Sequence, residues 1–275
     1  MASIRYIPHS FPPYRRGDGA YIDSPEAKSI LEKGRQWLRE NIIKYHSEYP
    51  VDTTVAPSND TRRKSRDPSI YTGAGGNAYV NWKLSQYYLS VGNNDYYIEH
   101  LMKAIEAIHT ALSIGGDDGI AFYIGKAGLY TLASLIYNSY NEPVKTETYL
   151  KSLLSCLPAA LSPSPDEVLY GRAGYLSCLL IAKKYLPADV CTKCNLDGAM
   201  RQMFDTLIAS GQQGHKKILR YFYYGSDYLG AAHGTAGILF TLLHCPVEWI
   251  NEPNIKPLLV KTIDHLVSAQ LPNYF

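Results

Sequence analysis

One spacing recurs through the chain and constrains its fold more than any other feature. Four segments share G-x-x-G followed by aromatic or aliphatic residues. They are YTGAGGNAYV with Gly73 and Gly76, YIGKAGLYTL with Gly125 and Gly128, LYGRAGYLSCLL with Gly171 and Gly174, and AHGTAGILFTLL with Gly234 and Gly237. The first glycines lie 52, 46 and 63 residues apart, which is room for two helices and two loops in each interval. Each pair leads into a run with few charges, such as LYTLASLIY at 129–137 and YLSCLLIA at 175–182. A helix apolar nearly all round belongs in an interior. Glycines three apart at its start leave no side chain there, so that backbone or a ligand can come close.

Between these runs lie loops with Gly, Asn or Pro and then amphipathic segments. In 95–113, Ile98, Leu101, Met102, Ile105 and Leu112 recur at helical spacing, and Leu259, Ile263, Leu266 and Val267 do so near 257–270. An opening helix over 25–48 fits the same pattern. Ser24 can cap it, Pro25 suits its first position, and Ile30, Leu31, Trp37, Leu38 and Ile42 form its stripe. Strand alternation is nowhere sustained. The chain therefore reads as all-α, with buried inner helices alternating with amphipathic outer ones. Inner helices that start from equivalent turns should gather their dipoles and free N–H groups around a common cavity, a place for an anionic or polar ligand.

Composition narrows the function classes. With 27 Lys and Arg against 25 Asp and Glu, overall charge argues against a nucleic-acid binder. The basic stretch TRRKSR sits in a polar loop and reads as solvated surface. No apolar run approaches the roughly 18 residues that a transmembrane helix needs. Five cysteines, an odd number without regular spacing, and no secretory segment behind Met1 predict a reduced cytoplasmic protein. Peripheral attachment at the plasma membrane stays open.

At DEVLYGRAGYLSCLL and YLGAAHGTAGILF the chain closely resembles eukaryotic lanthionine synthetase C-like proteins, and the resemblance runs from about residue 25 to the end. It implies an α/α toroid, a double-layered helical barrel of seven repeated hairpins, of which about four are present here. On this reading 1–24 is an N-terminal extension and 25–275 a partial toroid domain. The resemblance further implies a zinc ion held by two cysteines and a histidine in complete family members. The implied activity is addition of the glutathione thiol to dehydroalanine or dehydrobutyrine in peptides and proteins. The family's metal ligands fall beyond a segment resembling LPNYF, which ends at Phe275, so no metal ligand and no cofactor is expected in this chain. The chain is accordingly expected to be a truncated isoform, a fragment or an incomplete gene product, and not to catalyse the reaction alone. The alternative is a non-catalytic glutathione-binding or signalling module.

The resemblance also singles out residues. His233, just before the fourth glycine turn, matches the family's cavity histidine, to which proton transfer is ascribed. Thiol addition to an electron-poor alkene does need one proton removed and one delivered. Glu167 lies close to the position of a catalytic aspartate in bacterial relatives, with Asp166 the alternative register. Arg172 in YGRAG and Lys126 in GKAG occupy equivalent slots, where a cation could bind a substrate carboxylate or simply pair with a nearby acid such as Glu167. Tyr170 fills the pre-glycine slot that His233 fills in its own repeat, either facing the cavity or packed. CTKC at Cys191 and Cys194 has metal-site spacing but no second half, and reads as incidental or redox-labile. His100 and His109 read as packing or surface residues. A glycosidase reading would need paired acids on cavity loops, and Asp117 and Asp118 stand adjacent without a second such motif.

Overall fold

The computed structural model describes residues 25, 28–34, 36, 37 and 40, and then 67–115, 119–213 and 217–269. Ser24, Leu38, Ile42, Asp117, Asp118 and the TRRKSR stretch lie outside them. The chain divides into two units, Met1–Ala56 and Pro57–Phe275. In the first, every described residue is helical, from Pro25 to Glu40.

Among its described residues the second unit is all-α, with four hairpins, each an inner helix followed by an outer one. The inner helices are α1 (Ala74–Ser90), α3 (Lys126–Ser139), α6 (Arg172–Tyr185) and α9 (Thr235–Leu242). The outer layer holds α2 (Asn94–Ile114), α4 (Pro143–Leu154), α8 (Leu196–Gly211) and α11 (Lys256–Ser268), with short connectors α5 (Leu157–Leu161), α7 (Ala188–Lys193) and α10 (Val247–Ile250). Successive inner helices pack on one another, and each packs on an outer helix of its own hairpin. This is the double layer of an α/α toroid. Among the described residues there are no strands, only isolated bridges at Ile120–Gly125 and Tyr223–Ser226. No described helix is long and apolar enough to cross a membrane.

The inner helices are buried as their composition requires. Leu129, Thr131, Leu132, Leu135, Ile136 and Tyr137 of α3 are all buried, as are Tyr175, Leu176, Cys178 and Leu179 of α6. Each such apolar side chain withdrawn from water contributes about 1.5–3 kcal/mol. Polar tips keep partners: the Trp82 indole donates to Ser139 Oγ at 3.1 Å, and the Tyr175 hydroxyl to the Leu153 carbonyl at 3.0 Å. The outer stripe of α2 differs from the expected one. Ile98 and Met102 are exposed, whereas Ala104, Ala107, Ile108 and Ala111 join Leu101 in the core. Small alanines let α1 and α2 approach closely, and pattern reading by bulk passed over them.

The glycine turns have a common construction. In all four repeats, a β-carbon on either glycine would meet the carbonyl oxygen six residues earlier. Gly73 would meet Asp67 at 2.1 Å, Gly128 would meet Phe122 at 1.9 Å, Gly171 would meet Pro165 at 2.3 Å and Gly237 would meet Ala231 at 1.9 Å. The backbone itself is ordinary, with φ of −115°, −110° and −118° at Gly73, Gly171 and Gly234. Space, not conformational freedom, demands glycine at these three; Gly125, with φ of 150°, needs it on both counts. The loop is held this close because the first three N–H groups of the helix donate to carbonyls seven residues back. In the third repeat Arg172, Ala173 and Gly174 donate to Pro165, Asp166 and Glu167 at 2.9, 3.2 and 3.4 Å; the first and fourth repeats do the same. The expected free N–H groups are therefore taken at these three helix starts, and no anion is needed to satisfy them.

Candidate functional site

Neighbouring glycine loops are stitched together by backbone bonds at equivalent positions. The N–H three residues before one turn's first glycine donates to the carbonyl two residues before the next turn's. Ile70 donates to Tyr123 at 3.0 Å, and Val168 donates to Ala232 at 3.1 Å. This second bond decides the site. Glu167 precedes Val168 and His233 follows Ala232, so the stitch brings together side chains 66 residues apart in sequence. The first stitch carries Ser69 and Ile124 in the same two slots, so the acid–imidazole pair is specific to the third and fourth repeats.

His233 Nδ1 lies 2.7 Å from Glu167 Oε2. The Glu167 residue is only 1% exposed, while the imidazole side chain keeps 32% of its surface open. The same carboxylate accepts the backbone N–H of Leu169 at 2.9 Å and of Tyr170 at 2.5 Å. A carboxylate so placed is an acceptor, so in the neutral ring the hydrogen belongs on Nδ1 and the lone pair on Nε2. Around the imidazole stand tyrosines. Tyr223 stacks on it with centroids 4.7 Å apart and planes 2° from parallel, and Tyr170 lies parallel at 6.1 Å. Tyr228 meets it at 57°. Partial burial, then the negative field of Glu167, push the Tyr223 hydroxyl above the usual tyrosine range, which keeps it a donor.

The arm carrying Tyr223 and Tyr228 is rigidly tied. Tyr221 is buried against Gly211 and donates to the Leu207 carbonyl at 3.0 Å. Arg220 pairs with Asp227 across the turn, with Nε at 2.9 Å from Oδ2. Tyr223 and Ser226 exchange backbone bonds of 3.0 Å around a tip where Tyr224 and Gly225 have φ of 48° and 75°. This arm was missed from the sequence; its signal was the tyrosine density of YFYYGSDY.

The other expected site residues divide. Tyr170 reaches the imidazole and is exposed, not packed away. Asp166 does not reach His233; it pairs with Arg172 at 2.7 Å and accepts from Ser210 at 2.5 Å. Arg172 also donates to the carbonyls of Ala160 at 3.1 Å and Ser162 at 2.8 Å. It fastens the outer connector to the inner helix, and its acid is Asp166, not Glu167. Lys126 opens α3 half-buried. His100 packs inside, its Nδ1 2.9 Å from Asn81 Oδ1 and its ring stacked on Tyr88, and His109 meets the Tyr137 hydroxyl.

A resident metal finds no set of ligands here. Among the described residues no three His, Cys, Asp or Glu side chains converge. The five thiols are unpaired, and all but Cys194 are buried. Burial raises the thiol pKa at Cys178, Cys191, Cys194 and Cys245, to about 12 at Cys245. Among the described residues, therefore, no side chains converge as a ligand set for the zinc that the family resemblance implies.

A family model described as lanthionine synthetase C-like protein matches residues 64–274. The chain belongs to that family. Among curated proteins it is similar to "LanC-like protein GCL1" of Arabidopsis thaliana, 28% identical over 222 residues, covering 75% of this chain and 48% of the relative. It is also similar to "Glutathione S-transferase LANCL1" of Danio rerio, 25% identical over 221 residues, covering 76% of this chain and 52% of the relative. The chain thus spans about half the length of the curated relatives it matches.

Proposed function

We propose that Glu167 and His233 form a proton-transfer site for joining the glutathione thiol to dehydroalanine or dehydrobutyrine residues of peptides and proteins, the activity that the family resemblance implies, against the expectation from sequence that this chain does not catalyse the reaction alone. One observation carries the reading: a buried carboxylate holds one nitrogen of an imidazole that keeps 32% of its side-chain surface open. The zebrafish relative's name, a glutathione S-transferase, supports glutathione as the thiol. In the reaction a sulfur–carbon bond forms at the alkene β-carbon, the π pair moves to the α-carbon, and a proton ends there. His233 Nε2 takes the thiol proton and returns it to the α-carbon, so no atom is lost and nothing is oxidised. Glu167 holds the Nδ1 hydrogen and stabilises the imidazolium formed in between. Tyr223 and Tyr170 keep the ring plane fixed. The reading places the protein in the cytoplasm, where glutathione is the thiol pool and unpaired cysteines persist.

The test incubates the protein with glutathione and a dehydroalanine peptide and follows adduct formation by mass spectrometry, with glutathione binding measured by calorimetry. His233→Ala is expected to slow addition by roughly 10²–10⁴-fold while glutathione still binds. Glutathione binding without any adduct would replace the enzyme reading with the binding-module one. An unchanged rate in His233→Ala would remove His233 from the chemistry.

A further inference from the structure

A cavity of about 880 Å³ lies among α1, α6, α9 and the glycine loops. His233, Glu167 and Tyr170 are not in its wall, though their chain neighbours Val168, Leu169 and Ala232 are, so it adjoins the proton-transfer pair without including it. The wall is largely aromatic and aliphatic, including Trp82, Phe122 and Phe240, and among the described residues no aspartate or glutamate contributes to it. The three helices that line it, α1, α6 and α9, contain no acidic residue at all. Two lysines do line it, Lys83 and Lys184.

Lys83 is half-buried, its Nζ 4.7 Å over the Trp82 ring and 4.9 Å over the Tyr185 ring, and it donates to the Tyr185 hydroxyl at 3.2 Å. Among the described residues neither Lys83 nor Lys184 pairs with a carboxylate. Acids are available elsewhere on the surface: Lys183 pairs with Asp197, and Lys151 and Lys193 share Glu147. An ammonium partly withdrawn from water, stacked on aromatic faces and lacking a counter-anion, leaves positive potential at one end of an apolar hole. The volume falls in the range of about 300–1,000 Å³ usual for small-molecule sites.

We propose that this cavity binds an amphipathic anion, its apolar body against the aromatic wall and its carboxylate, sulfonate or phosphate head on Lys83 and Lys184. Aromatic and fatty-acyl carboxylates share this chemistry.

The probes are 1-anilinonaphthalene-8-sulfonate and its uncharged counterpart N-phenyl-1-naphthylamine, titrated calorimetrically into the whole chain. The sulfonate should bind at one site, about tenfold or more tighter than the uncharged compound. Replacing Lys83→Gln together with Lys184→Gln should bring the sulfonate down to the affinity of the uncharged compound and leave the latter unchanged. Phe240→Glu is a second variant at a rim position 67% exposed, where folding is not at stake. It should weaken the sulfonate about tenfold or more beyond any loss for the uncharged compound, which forfeits only the Phe240 contact. Displacement of the sulfonate by 2-naphthoate or by decanoate then tells an aromatic body from an acyl chain. Equal affinity for the two probes, sulfonate binding unchanged in both variants, or displacement by neither carboxylate would overturn the proposal.

Discussion

Arg172 and Glu167 stand five residues apart on the same glycine turn and take opposite parts. Both are charged groups beside an inner helix start, and the sequence offers either as a cavity residue. Glu167 turns toward the next repeat and orients His233. Arg172 turns toward the outer connector, where three nitrogens engage Asp166, Ala160 and Ser162. Side chains 12% and 13% exposed make the Arg172–Asp166 pair largely buried, and removing one partner of such a pair costs about 3 kcal/mol. Arg172→Ala should therefore lower stability by about that amount in urea unfolding and leave glutathione affinity as it was. Arg172→Lys should recover little of the loss, because one ammonium cannot replace a planar fork aimed at three acceptors. A large loss of glutathione affinity with stability intact would instead return Arg172 to substrate binding. The position of each residue was legible in the repeat; the direction in which it points was not, since it depends on which neighbour offers acceptors.

At the scale of the element, the glycine turn is a carbonyl-to-helix clamp. The two glycines of each turn are needed because loop oxygens occupy the space a methyl would take. Gly237 and Gly230 provide a contrast within one turn. A β-carbon at Gly237 would sit 1.9 Å from the Ala231 oxygen, whereas at Gly230 nothing lies within 4 Å. Gly237→Ala should destabilise by about 1–3 kcal/mol or more, the range of overpacking a tight site. Gly230→Ala should be neutral or stabilise by about 0.4–1 kcal/mol, by restricting the unfolded chain. Denaturant melts of the two variants side by side check this, and equal costs would mean that the clamp is not what the motif provides. The clamp also explains why a reading of open helix N-termini failed: G-x-x-G marks close approach by the protein's own backbone, which in the first, third and fourth turns takes up the helix-start N–H groups.

For the whole second unit, the cysteines report how the layers pack. Cys156, Cys178, Cys191 and Cys245 are buried, and Cys194 alone is partly open. Burial pushes the Cys245 thiol up to about 12, so little thiolate is present at pH 8 even where a reagent arrives. A native-state titration with a chromogenic disulfide reagent at pH 8 should thus show one thiol reacting first, Cys194, with the other four released on unfolding. Two fast thiols, or loss of the Cys191 and Cys194 signals together on mild oxidation, would indicate that CTKC is a working redox pair.

The sequence by itself determined the helical class, the two layers, the four glycine turns and the place of His233 at the last of them. These are local or periodic properties, settled by short-range sterics and by which faces are apolar. Tertiary structure alone decided that Glu167 and not Asp166 meets His233, that Arg172 fastens a connector, that tyrosines of the 220–228 arm wall the imidazole, and that two lysines share an apolar cavity. Each of these depends on contacts between residues tens of positions apart, made through backbone stitches and helix packing that no spacing in the chain records.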